Sequence, residues 1–312
     1  MNYPELAFEL AAHIRKAVRP LMGLKASKRI VRNANSGDAT FGIDSAAEEA
    51  CLQYIGRRRL NVSYYTEDTG LSKHGIPQAT LIIDPIDGTR GAKSGFECSV
   101  VSVAVTDYTQ DPRVKDVKAA CVYEIKEDRA FIAERGGGVR ILRRGREMEP
   151  HESDVQSNEL AAWSAEVAGR PSEMIGRILG NAIDASSIRG GFFVFNSIAY
   201  SLTRLVTGQL SAVVDVGRRL LKDVPSSRQA FLRAGHGTVI GLFPYDFVAA
   251  ILIAREAGCI VTDAYGKPLD EVKVLESSES NVQSIIAASN PTLHTSFLTE
   301  INRGFEALGE TP

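Results

Sequence analysis

The sequence predicts a mixed fold, α+β over its first half with an α/β second half. Two helical stretches precede a run of apolar strands between residues 61 and 134, whose short polar and glycine-rich connections read as hairpin turns. After residue 158, strand-like and helix-like stretches alternate, the pattern of a sheet layered with helices.

In order, residues 4–18 and 44–59 are expected as helices. The second is opened by Asp44 or Ser45, with Ser45 and Glu48 at the spacing of a capping box. Strands are expected near 61–65, 80–84, 97–106, 118–125 and 129–134, with turns at Lys126-Glu127-Asp128 and Gly136-Gly137-Gly138. This half reads as helices on a largely antiparallel sheet. The polar residues 143–158 form a junction that divides the chain into 1–147 and 148–312. Beyond it come a strand at 160–165, a helix from Pro171, a strand at 185–189, a helix at 196–207, a strand at 211–215, a helix at 246–257 and a strand at 283–288. Asn290-Pro291 suits the N-cap and first position of a closing helix.

The 312 residues suffice for two core-bearing subdomains, and 44% hydrophobic with 24% charged residues is ordinary for a globular enzyme. A formal net charge of −2 gives no whole-chain attraction to nucleic acid or to an anionic membrane, so neither is expected as a partner. Cys51, Cys98, Cys121 and Cys259 lie in apolar stretches without metal-type spacing. They read as reduced core residues, consistent with the cytoplasm. The N-terminus carries Glu5 and Glu9 in an amphipathic stretch, and no span approaches ~18 apolar residues, so neither export nor membrane insertion is expected. His13, His74, His151, His236 and His294 lack paired spacing and read as surface or structural residues.

The chemistry concentrates in Leu81-Ile82-Ile83-Asp84-Pro85-Ile86-Asp87-Gly88-Thr89, an apolar strand that ends in two carboxylates, a glycine and a hydroxyl. Pro85 is expected to stop the strand ladder, and the Asp84/Asp87 spacing can aim both acids into one pocket at the sheet edge. Two close carboxylates repel unless a cation lies between them, and hard ions such as Mg²⁺ take oxygen ligands of this kind. Gly88 and Thr89 would offer backbone N–H groups to an anion. The bland alternative is a strand followed by a solvated turn. Against it stand two further acidic element ends: Val62-Ser63-Tyr64-Tyr65-Thr66-Glu67-Asp68, and Asp246 at the start of an apolar helix running to Glu256-Ala257-Gly258.

With these motifs the chain resembles the inositol monophosphatase-like phosphatases, a group that includes inositol phosphatases, archaeal-type fructose-1,6-bisphosphatases and 3′-phosphoadenosine 5′-phosphate phosphatases. The resemblance rests on Gly42-Ile43-Asp44 with Glu48, Thr66-Glu67-Asp68, Asp84 to Thr89, the stretch from Val122-Tyr123-Glu124 to Gly136-Gly137-Gly138, Tyr245-Asp246 with Glu256-Ala257-Gly258, and Ile285 to Pro291. It implies a layered αβαβα sandwich, a Mg²⁺-dependent and Li⁺-sensitive activity, and a homodimer. It implies further that Glu67, Asp84 and the Ile86 carbonyl bind one Mg²⁺ and that Asp84, Asp87 and Asp246 bind a second. Asp44, Glu67 and Thr89 would orient or deprotonate the attacking water. Asp87, Gly88, Thr89, Asp215 and Asp246 would contact the substrate.

Asp44 and Asp246 also suit simple helix caps, and Asp68 reads as a supporting or solvated acid. Arg90-Gly91-Ala92-Lys93 matches neither the inositol-phosphatase nor the nucleotide-phosphatase pattern after the threonine. Arg218, Arg219, Lys222, Arg228 and Arg233 read as a solvated loop or as an anion-binding lid for a second phosphate or for a partner subunit. The expected activity is hydrolysis of a small phosphorylated polyol, sugar or nucleotide. Inositol monophosphate leads, followed by fructose 1,6-bisphosphate and 3′-phosphoadenosine 5′-phosphate. A catalytically silent sugar-phosphate-binding or interaction protein is the alternative from another class, and the scattered acids argue against a contiguous calcium loop.

Overall fold

The structure is a computed structural model and describes residues 1–33 and 39–309. The chain runs α1 (Tyr3–Val18), β1 (Ile30–Asn33), β2 (Ala39–Phe41), α2 (Gly42–Arg57), β3 (Val62–Thr66), β4 (Gly70–His74), β5 (Ala79–Asp87), α3 (Thr89–Ser94), β6 (Val100–Asp107), β7 (Val117–Glu124), β8 (Arg129–Glu134), β9 (Gly138–Arg143) and β10 (Arg146–Met148). It continues through β11 (Ala162–Ala165), α4 (Ser172–Ser186), β12 (Gly191–Phe193), α5 (Ile198–Leu205), β13 (Ala212–Asp215), α6 (Gly217–Asp223), α7 (Ser227–Ala234), α8 (Pro244–Glu256), β14 (Ile260–Thr262), β15 (Ile285–Ala288) and α9 (Pro291–Gly309).

Eight strands form one sheet in the order β10-β9-β8-β7-β6-β5-β3-β4, antiparallel except where β3 runs parallel to β5. Five form a second sheet in the order β12-β11-β13-β15-β14, with β11 parallel to both of its neighbours. Side-chain alternation assigns the layers. Leu81 and Ile83 face α1 and α2, whereas Ile82 faces α5 and α8. In the second sheet Val213 and Ala287 share that central core, while Val214, Ile286 and Ala288 face α4 and α9. The result is the expected αβαβα sandwich. With both sheet faces covered, β5 needs a continuous apolar run, and all nine of its residues are buried. The same logic makes α8 apolar nearly all round, since it lies between two sheets.

Several expectations shift. The strand expected at 185–189 is taken up partly by α4, which runs on to Ser186, and the edge strand starts only after Gly190. Ser186 Oγ accepts the Trp163 indole N–H at 2.9 Å and donates to Ala182 O, tying the helix end into the core. Glycine is required at 190 because a Cβ there would lie 2.3 Å from the Ala161 carbonyl oxygen. The capping box of α2 is not Ser45 with Glu48. Asp44, three residues past Phe41, accepts the Phe41 N–H at 2.7 Å, and Glu48 turns inward to the hydroxyls of Thr66 and Thr69. The basic segment is two helices, α6 and α7. Arg218 donates to the carbonyls of Ser280 and Val282, Arg219 donates to Ala264 O and Asn302 Oδ1, and Arg228 pairs with Glu279. These partners hold α6 and α7 on the molecule, so the segment is not a solvated loop. The closing helix begins as expected, with Asn290 Oδ1 accepting the Leu293 N–H.

Candidate active site

Strand β5 does not stop at Pro85. Its pairing with β6 steps from Asp84↔Ser102 to Asp87↔Val100, so Pro85 and Ile86 on β5 oppose Val101 alone and a bulge absorbs the proline. Within the bulge Asp84 Oδ1 accepts the Ile86 N–H at 2.9 Å, which fixes the turn of the carboxylate. Asp87 Oδ2 accepts the Ser197 hydroxyl at 2.7 Å and the Ala199 N–H at 2.6 Å. It thereby satisfies unpaired amides at the start of α5, where a negative charge is favoured. Gly88 sits at φ +86°, and a Cβ there would lie 2.5 Å from Cys98 O and 2.8 Å from Ser197 Cβ, so glycine is required by both conformation and space.

Thr89 opens α3 and donates its hydroxyl proton to Asp44 Oδ1 at 2.9 Å, with Ile86 O as a second acceptor at 3.1 Å. Asp44 caps α2 through Oδ2 and holds Thr89 through Oδ1, so its capping and site roles coexist. The pattern repeats at α8, where Asp246 Oδ2 accepts the Phe243 N–H at 2.7 Å. Glu67 follows β3 directly. Glu67, Asp84, Asp87 and Asp246 line one cleft of about 90 Å³ together with Gly88, Thr89, Glu166, Arg170 and Asn196. An adjoining hollow of about 20 Å³, enough for a single water, is lined by Asp44, Glu67, Asp68 and Thr89.

Electrostatics mark the cleft as unusual. Burial first, then the charges of Asp87, Asp246 and Glu67, drive the Asp84 carboxyl well above the usual carboxylate range. Asp246 is raised by burial and by Glu67 and Asp87. Burial pushes Asp87 up to about 6 against the hydrogen bonds from Ser197 and the neighbouring amides. Among the described residues no three of these acids converge as a finished ligand shell. What they share is a cleft and mutual repulsion, with Asp84 and Asp87 buried. An all-oxygen, acid-rich donor set of this kind fits a hard divalent cation, which relieves both the repulsion and the cost of burying charge.

A consequence for stability follows from the sign of the shifts. These acids hold protons more tightly folded than unfolded, so their contribution is fully present at low pH and is lost as pH rises through the folded values. With EDTA, the melting temperature is expected to fall between pH 5 and 8.5 as Asp87, at about 6, and then Glu166, at about 8, ionise. A melting temperature that rises across this window would contradict the burial assigned to the cleft.

Asp215 is placed differently from its expected role as a substrate contact. It is 1% exposed, does not line the cleft, pairs with Arg170 at 2.5 Å and accepts the Gly217 N–H at 2.8 Å. It reaches the cleft through its ion pair with Arg170 and through its charge on Glu166. The sequence reading missed Glu166, Arg170, Asn196 and Ser197. One of them carried a signal: Glu166 ends the apolar strand β11 with an acid, as Glu67 ends β3.

The layered sandwich with its acid-lined cleft and the family match together make the chain a phosphoric monoester hydrolase. Residues 3–304 match the inositol monophosphatase family, and the chain belongs to that family. It is 25% identical over 311 residues to a fructose-1,6-bisphosphatase/inositol-1-monophosphatase of Thermococcus kodakarensis, covering 100% of this chain and 99% of the relative. It is 26% identical over 277 residues to the Nus factor SuhB of Vibrio cholerae, covering 88% and 89%. The extragenic suppressor protein SuhB of Bartonella henselae shares the fold at a TM-score of 0.70, with 19% identity and 96% and 98% of the two chains covered.

Proposed function

We propose that this chain is a Mg²⁺-dependent hydrolase of a phosphate monoester carried on a small polyol, sugar or nucleotide. The observation that supports it best is the convergence in one cleft of acids from four separate elements beside the Thr89–Asp44 pair. Glu67, Asp84 and the Ile86 carbonyl would hold one Mg²⁺, and Asp84, Asp87 and Asp246 a second. When bound, such ions neutralise phosphoryl oxygens and lower the pKa of water.

The protein's own groups supply the positioning. Thr89 has one hydroxyl proton, and with Asp44 accepting it, Thr89 Oγ1 is left as an acceptor facing the water-sized hollow. A water donating one proton to Thr89 and the other toward Glu67 is aimed with its lone pair outward, at an incoming phosphorus. The Gly88 and Thr89 N–H groups would bind phosphoryl oxygens. Hydrolysis of this kind requires positioning and charge stabilisation more than covalent help from the protein.

Family likeness supports inositol monophosphate as the leading substrate, inhibition by Li⁺, a homodimer and a cytoplasmic location. The four cysteines, all free, agree with a reducing compartment. A phosphate-release screen over inositol monophosphate, fructose 1,6-bisphosphate and 3′-phosphoadenosine 5′-phosphate, with Mg²⁺ and then EDTA, tests the reading. Release that depends on Mg²⁺ is expected from at least one of them. Release that persists in EDTA would reject the metal assignment, and none from any ester would leave the silent binding protein in its place.

A further inference from the structure

The cleft has a carboxyl group without an assigned task. Glu166 is 5% exposed, its backbone N–H is fixed to Val214 O at 3.1 Å, and its side chain lines the cleft with Arg170 and Asn196. The Ser197 backbone N–H reaches the carboxyl. Its Oε1, however, is buried with no hydrogen-bond partner among the described residues; Asp215 Oδ2 and Arg170 Nε and Nη2 share that state, but only Glu166 of the two acids lines the cleft, where the Arg170 charge acts on it. An unpaired buried carboxyl oxygen is costly, and its cost is removed when a ligand supplies the partner.

Placement identifies which part of a ligand that is. Asp44, Glu67 and Thr89 share the water-sized hollow, and Glu166 lines neither that hollow nor the second small depression beside Asp84. In-line displacement puts the leaving oxygen opposite the attacking water. With the attacking water in that hollow, Glu166, which lines the cleft but not the hollow, is on the side left to the leaving group. Asp215, the acid the sequence offers for substrate hydroxyls, is withdrawn behind Arg170, whose guanidinium also donates to Ala168 O at 2.7 Å. Asn196 Oδ1 accepts the Ala168 N–H at 3.1 Å and steadies the same loop.

We propose that Glu166 is the specificity-determining carboxyl of this hydrolase, pairing through Oε1 with a substrate hydroxyl on the carbon next to the phosphoester, while Asp215 positions Arg170. This rests on the phosphatase reading above and narrows it to esters that carry a neighbouring hydroxyl. A site built to hydrogen-bond a substrate hydroxyl discriminates strongly against the analogue without it, because its own polar group is then stranded.

The test compares phosphate release from three esters: glycerol 2-phosphate, with a hydroxyl on each carbon next to the ester carbon; isopropyl phosphate, the same secondary ester without them; and p-nitrophenyl phosphate. Glu166→Ala is expected to lower kcat/KM on glycerol 2-phosphate by about 10–100-fold while leaving isopropyl and p-nitrophenyl phosphate within about threefold. Glu166→Gln, which keeps a hydrogen-bonding oxygen, recovers most of the loss. Glu166→Met fills the volume without a carboxyl, repeats the selective loss and decides the matter if the alanine variant does not fold. Asp215→Asn does not discriminate between the two alkyl esters. Equal losses on both alkyl esters would place Glu166 at the leaving oxygen as an acid and overturn the proposal, as would an unchanged glycerol 2-phosphate rate. A loss on all three together with a lost Mg²⁺-induced melting shift would assign Glu166 to the metals and would equally overturn it. Wild-type protein that releases phosphate from no ester would remove the hydrolase reading, and this one with it, before any substitution is made.

Discussion

Asp84→Asn is expected to abolish turnover and leave the fold intact. Asp84 is the carboxylate proposed to serve both metals, and it is the acid on which burial and the charges of Asp87, Asp246 and Glu67 all converge. The asparagine keeps an oxygen for the Ile86 N–H that shapes the bulge, so the backbone has no reason to move. What is lost is one negative charge. Metal-derived stabilisation of several kcal/mol corresponds to a rate loss of about 10³-fold or more. Without metal the substitution removes repulsion, so the melting temperature in EDTA is expected to hold or rise. With Mg²⁺ the stabilisation seen in the wild type is expected to shrink. Phosphate release within tenfold of wild type, a loss below ~1.4 kcal/mol, would contradict the assignment of Asp84 to the metals.

Thr89→Ala removes the hydroxyl that links the water-sized hollow to Asp44, together with the Cγ2 methyl. The Thr89 amide, the left-handed Gly88 and the buried acids stay in place. Positioning of a general base typically contributes about 10²–10⁴-fold, so kcat is expected to fall on that scale while the Mg²⁺ concentration for half-maximal stabilisation changes little. Steady-state kinetics beside a Mg²⁺ melting titration separate the two effects. A kcat equal to wild type would reduce Thr89 to the first residue of α3.

Much of the site was legible because its signals are local. An apolar run long enough for a strand buried on both faces, ending in Asp84, Asp87, Gly88 and Thr89, constrains backbone and chemistry within nine residues. Glu67 at the end of β3 and Asp246 at the start of α8 are legible for the same reason. Asp246 is at once an acid in the first turn of a helix and a partner of the Phe243 amide, and the first of those roles is readable from sequence. Pro85 shows where a local rule stops. It does remove a ladder hydrogen bond, yet β5 absorbs the loss in a bulge against β6 and the strand continues.

What the sequence alone determined is therefore most of the longer elements, the family and the acids that end those elements. Only the tertiary structure decided how side chains divide between the cleft and the core. Asp215 and Glu166 both follow apolar strand residues, and nothing local distinguishes them. Arg170 and the Gly217 amide draw Asp215 into the interior, whereas Glu166 is left facing the cleft. Glu48, at capping-box spacing from Ser45, instead meets Thr66 and Thr69 across the fold, and the cations of α6 and α7 find carbonyls and acids that lie 45 to 83 residues away. The physical reason is common to all of these. Backbone preference and burial are set within a few residues, but the partner of a charged or polar side chain is chosen by which groups chain closure brings within hydrogen-bonding distance.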